Sequence, residues 1–191
     1  ILTTGNYSQP SISNIFSERA GNGEFILVNS YFPYMKLFAN TPYINTRKPF
    51  SELTYQNAQS GLNKFELLDA FHSQNISPKL NAGFSFTTAK SFGQYSFQRT
   101  RNNSFRLFGS YNGAFYASHY SINLNKIVAD ENGGILNDRL ITDTVYTYTR
   151  DVPVLFDGVD NPPTHQPDVY NEIKNFSVFT LQELALRRDS A

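Results

Sequence analysis

The chain has no cysteine and no tryptophan, only one methionine, and no net charge. Without cysteine there is neither a disulfide framework nor a thiolate metal site, and the redox compartment stays open. With 16 basic side chains balanced by 16 acidic ones, there is no basic field to attract nucleic acid. No run approaches the ~18 consecutive apolar residues of a membrane helix. Ile1 is not followed by a charged region and an apolar one, so any export signal is expected to lie upstream or to have been removed. What is abundant is aromatic: 17 Phe and 12 Tyr in 191 residues suit strands and interfacial girdles better than a helical domain. A negative mean hydropathy is compatible with a membrane barrel, because lipid-facing and lumen-facing residues alternate and average out.

The strongest local signal is a hairpin from Arg101 to Asn125, with Asn112-Gly113 between two alternating runs. Asn-Gly favours a type I′ turn, whose central residues both need positive φ. Pairing Tyr111 with Ala114 would set Phe105 opposite Tyr120, Leu107 opposite Ser118, Gly109 opposite Tyr116 and Arg106 opposite His119. One face then carries Phe105, Leu107, Tyr111, Tyr116, Tyr120, Ile122 and Leu124. The other carries Ser104, Arg106, Phe108, Ser110, His119, Ser121 and Asn123. Each run also reaches the ~9–11 residues of a tilted membrane-spanning strand.

A second alternating run supports the first. Leu80, Ala82, Phe84 and Phe86 interleave with Asn81, Gly83, Ser85 and Thr87, and Ser77-Pro78-Lys79 turns the chain back onto Asn63 to Ile76. A two-residue loop at Pro78-Lys79 would oppose Phe71 to Phe86 and place Phe65 and Leu67 on the apolar face. A three-residue loop would bring Leu68, Ala70, His72 and Ile76 there instead, which suits Asp69 and not His72. The two-residue loop is the reading adopted.

Upstream, 1–23 is polar and turn-rich and is read as an irregular N-terminal segment; 24–191 is read as the N-terminal part of a barrel, with a long loop at 126–175. Glu24 to Phe32 reads as a strand with apolar residues on both faces. Pro33, Pro42 and Pro49 mark the next stretch as a connection, followed by a strand from Phe50 to Asn57. The turns at Pro78-Lys79 and Asn112-Gly113 share one side, while the longer Lys90 to Thr100 and Lys126 to Asn175 share the other, the loop asymmetry of outer-membrane barrels. Pro33 to Pro49 breaks that pattern: either the first strand is not one, or the segment enters the lumen. The fold class is therefore all-β, an up-and-down antiparallel transmembrane barrel, of which about six or seven strands are present where a single-chain barrel needs at least ~8. Open edges in lipid are prohibitively costly, so the remaining wall is expected from further sequence or another outer-membrane subunit.

Several stretches also resemble a known family. Asn29-Ser30-Tyr31-Phe32-Pro33-Tyr34, Asn45-Thr46-Arg47-Lys48-Pro49-Phe50 and Ser73-Gln74-Asn75-Ile76-Ser77-Pro78 are similar to segments of the putative porins of Bacteroidota outer membranes, as are Phe108-Gly109-Ser110-Tyr111, Glu131-Asn132-Gly133-Gly134-Ile135 and Asn137-Asp138-Arg139. The resemblance runs from about Asn29 to the Phe179-Thr180-Leu181 region. It implies an outer-membrane β-barrel that passes small solutes, it implies no catalytic residues, and family members are several times longer.

Residue chemistry points the same way. His72, His119 and His165 lack the i, i+4 spacing of a helical zinc site, and neither Ser118-His119 nor His72-Ser73 can be a nucleophile and base, since strand neighbours point to opposite faces. Asp130, Glu131, Asn132, Asn137 and Asp138 lack a calcium loop's spacing. Neither a catalytic residue nor a metal ligand is assigned, and no cofactor is expected. The lumen-facing candidates are Ser85, Ser104, Arg106, Ser110, His119, Ser121, Asn123 and Glu66, with Arg106, His119, Arg99 and Arg101 as a cationic strip that Glu66 could neutralise. The lipid-facing candidates are Phe84, Phe86, Phe105, Leu107, Tyr116, Tyr120, Ile122 and Leu124. The expected partners are outer-membrane lipid and small solutes, without nucleic acid. The function expected is passive diffusion of small solutes across the outer membrane, with a non-conducting scaffold barrel or a soluble β-sandwich binding module as alternatives. The sandwich would bury Phe84, Tyr120 and Leu124 beneath a second sheet.

Overall fold

The computed structural model describes residues 2–3, 5–18, 26–60, 63–142, 145–156 and 169–185. Two short strands, β1 (Leu2–Thr3) and β2 (Ser11–Ile12), pair with each other. The remaining strands are β3 (Phe50–Ser60), β4 (Asn63–Ser77), β5 (Leu80–Ser91), β6 (Thr100–Asn112), β7 (Tyr116–Asp130) and β8 (Tyr170–Leu184). They form one antiparallel meander of six strands in sequence order, open at β3 and β8. The fold is all-β, and the sheet is part of a barrel wall rather than a closed barrel.

The expected strand from Glu24 to Phe32 does not form; its first two residues lie outside the described ones. Ile26–Asn29 is one helical turn, α1, and Phe32–Tyr34 is a 3-10 turn with Pro33 in its first positions. Local bonds satisfy this backbone, Tyr31 N–H to Val28 O at 2.9 Å and Tyr34 N–H to Tyr31 O at 3.0 Å, so no ladder is needed.

The β6–β7 hairpin forms, but with its turn two residues further on. Asn112 N–H donates to Lys79 O at 2.8 Å, which keeps Asn112 in the ladder, and the chain reverses over Ala114 and Phe115, where Gly113 N–H reaches Tyr116 O at 2.8 Å. Gly113 does not take positive φ, so the type I′ turn is replaced. The register becomes Phe105↔Leu124, Arg106↔Asn123, Leu107↔Ile122, Gly109↔Tyr120 and Ser110↔His119. Every partner has shifted by an even number of residues, so each side chain keeps its face.

At β4–β5 the two-residue loop is present, with Ser77 opposite Leu80, yet a bulge between Asn75 and Ser77 shifts the pairing by one. Phe71 therefore opposes Ser85 and His72 opposes Phe84. One extra residue inverts a whole strand: Leu68, Ala70 and His72 join the face of Phe84, while Phe65, Leu67, Asp69 and Phe71 join that of Ser85.

Strand pairing also extends into the expected 126–175 loop, since Lys126 pairs with Lys174 and Asp130 with Tyr170. Within the connection, Gly133 and Gly134 take positive φ and Ile135 bridges Val154. Asn132 Nδ2 donates to Ser96 O at 3.1 Å and Thr149 Oγ1 to Gln94 O at 2.9 Å, so this connection rests on the neighbouring one at 92–99.

The burial of the sheet is the reverse of a soluble domain's. On one face Leu107, Ile122, Leu124, Phe176 and Val178 are exposed, at 46%, 36%, 46%, 67% and 62%; on the other Ser104, Arg106, Ser121 and Asn123 are 1%, 4%, 0% and 0% exposed. Phe84, Tyr120 and Leu124 are exposed as well, and the described residues place no second sheet over them. This removes the β-sandwich alternative. The small apolar core lies on the polar side, where Tyr31 and Met35 meet Ile127.

Candidate functional site

The buried polar face is covered by the chain's own N-terminal segment. From Tyr34 to Thr46 it passes down the sheet from the end with long connections to the end with tight turns, and each step is tied by a strand side chain. Asn102 Nδ2 donates to Tyr34 O at 3.1 Å. Asn125 holds Lys36 at both main-chain groups, accepting from its N–H at 2.8 Å and donating to its carbonyl at 3.0 Å. Lower still, Tyr43 packs edge-on against His119 with centroids 4.8 Å apart and against Phe108 at 6.3 Å. Near the tight turns, Asn75 Nδ2 donates to Asn45 Oδ1 at 2.6 Å, and Thr46 N–H donates to Asn75 Oδ1 at 3.4 Å.

Arg106 is the central tie. Its Nε donates to Asn123 Oδ1 at 2.9 Å, its Nη1 to Asn40 O at 3.0 Å and its Nη2 to Leu37 O at 2.8 Å, and Nη2 also meets the Asn40 side chain. A guanidinium spreads its donors over three nitrogens in one plane and so reaches acceptors too far apart for the single nitrogen of an ammonium. Beside it Lys36 Nζ donates to Ser85 Oγ at 2.7 Å and stands 3.8 Å from Asp69 Oδ1. Burial pushes the Lys36 ammonium below its ordinary range, against the pull of Asp69 and with the push of Arg106. Asp69 also accepts from Thr87 Oγ1. The inverted register of β4 is what puts Asp69 here.

Among the residues singled out from sequence, Ser85, Ser104, Arg106, Ser110, His119, Ser121 and Asn123 share this face. Glu66 does not: it pairs with Lys90 on the opposite face, a consequence of the bulge, and cannot neutralise Arg106. Arg101 also lies on that opposite face, between Lys90 and Val128, and Arg99 contacts Asp130 there, so no cationic strip joins them to Arg106. Arg106 and His119 are not opposed either. Phe84, Phe86, Phe105, Leu107, Tyr120, Ile122 and Leu124 share the apolar face, and Tyr116 continues it opposite Leu184.

The other polar candidates have structural partners. His72 sits on the apolar face with Nδ1 2.7 Å from Ser51 Oγ, and Asn137 Oδ1 caps a 3-10 turn by accepting from Arg139 N–H at 3.0 Å. Among the described residues no three His, Asp or Glu side chains gather to hold a metal ion. His165 lies outside the described residues.

Sequence reasoning missed the buried amides Asn102 and Asn125 as anchors of the segment. The available signal was the density of Ser and Asn at alternate positions of β6 and β7, short side chains that reach main-chain groups without needing a charge.

Comparison with known proteins agrees with this geometry. A family model described as "Putative porin" matches residues 1–190. No curated protein and no solved structure matches the chain.

Proposed function

Because the chain belongs to the putative porin family, we propose that its sheet is part of an outer-membrane wall through which small solutes diffuse passively. The observation that carries this reading is the inverted burial: Leu107 is 46% exposed while its neighbour Arg106 is 4% exposed. Soluble monomers rarely leave adjacent apolar side chains of neighbouring strands exposed together in this way, and on β7 the band runs from Tyr116 to Leu124, in keeping with the ~9–11 residues of a tilted spanning strand. In this reading Phe84, Phe86, Phe105, Leu107, Tyr116, Tyr120, Ile122 and Leu124 face lipid. Ser85, Ser104, Arg106, Ser110, His119, Ser121 and Asn123 face the lumen, and the segment from Tyr34 to Thr46 narrows it. Further wall, from more sequence or another subunit, completes the ring. Planar-bilayer recording of the full-length protein tests the reading, with stepwise conductance in simple salts as the expected result.

One observation favours a second reading, a barrel that scaffolds partners without conducting: the donors of Arg106, a cation only 4% exposed, are spent on Asn123 of the wall and on the segment's Leu37 and Asn40. Wild-type protein that inserts, shows heat-modifiable mobility and carries no current would favour the scaffold.

A further inference from the structure

The apolar face ends at the row of Phe105, Leu124 and Phe176, and beyond it, toward the long connections, the same face turns charged. Asp130 is 3% exposed and both its oxygens are taken, Oδ2 by Arg99 Nε at 3.1 Å and Oδ1 by Arg101 Nη2 at 3.7 Å. On the neighbouring rungs Glu172 is held in the same way, by Lys126 Nζ and Lys174 Nζ, each at 2.8 Å. Four cations thus surround two carboxylates, leaving an excess of two positive charges. Each carboxylate positions a pair of cations and is itself spent, while the cations keep unused donors: the side chains of Arg101, Lys126 and Lys174 are 42%, 50% and 64% exposed.

All of these groups except Lys174 line a cavity of about 370 Å³, together with Asn103, Val128 and Tyr170. A second cavity of about 490 Å³ shares Asn103 and Lys126 with the first; Lys174 stands at it too, and Phe86, Phe105, Leu124 and Phe176 line it beside Ser104, Asn125 and Asn175. A cationic pocket opening directly into an aromatic groove matches one kind of ligand, a lipid whose anionic headgroup and acyl chain meet at a sharp boundary. A soluble anion would leave the groove unused, and a neutral lipid would leave the cations unpaired.

We propose that this paired site binds a phosphate-bearing lipid of the leaflet at the long-connection end, with phosphate oxygens on Arg101, Lys126 and Lys174 and an acyl chain along Phe105, Leu124 and Phe176. Phosphate suits the pocket because a guanidinium offers a planar fork to two of its oxygens and the ammoniums serve the rest. The proposal rests on the outer-membrane reading above; in that orientation the leaflet is the outer one, since barrels carry their longer connections outside.

The test is a titration of the full-length, detergent-solubilised protein by native mass spectrometry. The probes are lipid A with both phosphates, lipid A with the phosphates removed, and inorganic phosphate. The bisphosphorylated glycolipid is expected to bind about tenfold tighter than the dephosphorylated one. Lys174→Gln combined with Arg101→Gln is expected to erase that difference. Equal binding of the two glycolipids by the wild-type protein overturns the proposal, and this comparison stands even where the double variant misfolds. Inorganic phosphate bound as tightly as the phosphorylated lipid overturns it too, leaving a simple anion site. Heat-modifiable mobility separates the two levels. A heat-modifiable barrel without phosphate preference removes only the lipid site, whereas full solubility without detergent removes the outer-membrane reading and this inference with it.

Discussion

Arg106 Nη2 donates to the main-chain oxygen of Leu37 at 2.8 Å, tying the middle of a strand to a residue 69 positions earlier in the chain. The bond joins the wall to the segment inside it. In the proposed porin, the width of the passage would depend on such ties, which are hydrogen bonds throughout.

Replacing Arg106 tests that dependence. Arg106→Ala removes the donor shared by the carbonyls of Leu37 and Asn40 and by the buried Asn123 amide, at a cost of about 1–3 kcal/mol for the buried Asn123 oxygen. The segment is expected to leave the wall, raising single-channel conductance in planar bilayers. Arg106→Lys should give most of the same increase, since one ammonium cannot reproduce the fork. Unchanged conductance in both variants would detach the segment from any control of the passage.

The two faces can be told apart on one strand. Val178 and Leu181 are both exposed, at 62% and 44%, and lie on opposite faces of β8. In water the two would tolerate arginine alike. With lipid on one side, Val178→Arg should destabilise the fold by about 2–4 kcal/mol near the midplane, as should Leu107→Arg, while Leu181→Arg should be nearly neutral. Urea unfolding in lipid vesicles measures the difference, and equal costs at Val178 and Leu181 would reject the assigned faces. Ser85 is unsuitable for this comparison, because its hydroxyl already accepts from Lys36.

Gly83 pairs with Phe108, whose ring lies over it. A Cβ at this position would collide with that ring and with the carbonyl of His72. Gly83→Ala should therefore lower stability by about 1–3 kcal/mol through overpacking. The same substitution in the Phe108→Leu background, where the ring is gone, should cost measurably less. Additive costs in a double-mutant cycle would show that ring and glycine are not coupled.

Lys36 gives a pH signature. Held below its ordinary range by burial, it binds its proton less tightly in the folded chain than in the unfolded one. The resulting penalty is fully present below the lowered value and fades as pH rises toward the ordinary lysine range, so stability should climb over that window. Tyr7 and Tyr34, raised by burial, act in the opposite sense above the ordinary tyrosine range. Their contribution cancels when wild type is compared with Lys36→Met. The variant's unfolding midpoint should lack the alkaline rise; an identical rise in both proteins would mean that Lys36 is not its source.

The sequence carried the meander because β5, β6 and β7 alternate strictly, and a period of two survives an even slip in register. The type I′ expectation at Asn112-Gly113 failed through a contact that local sequence does not contain, the bond from Asn112 to Lys79 in the neighbouring hairpin. β4 was harder to read because both its faces are mixed: Phe65, Leu67 and Phe71 compete with Leu68, Ala70 and His72. A bulge settled the matter, and the energies it weighs are tertiary. Asp69 gains Lys36, and His72, turned to the apolar face, keeps Ser51 opposite it on β3. The candidate polar residues were legible as a face. What covers them was less so, since Pro33, Pro42 and Pro49 announce a connection without saying where it lies.

The segment's placement also constrains the order in which the molecule can assemble. Lys36 and Asn40 emerge early in synthesis, yet two of their anchors, Asn125 and Arg106, lie 89 and 66 residues downstream. Such long-range closure is slow. The ties to Asn45, Thr46 and Lys36 can form with β4 and β5, but those to Tyr34 and Asn40 must wait for β6; in the proposed barrel all must settle before the wall is completed, because a closed ring would offer the segment only a narrow mouth to thread. An accessory factor or mutation that speeds closure would therefore trap the segment outside. The population so produced would have a fully formed wall and an empty interior, and its yield would depend on the rate of folding rather than on the stability of the final state.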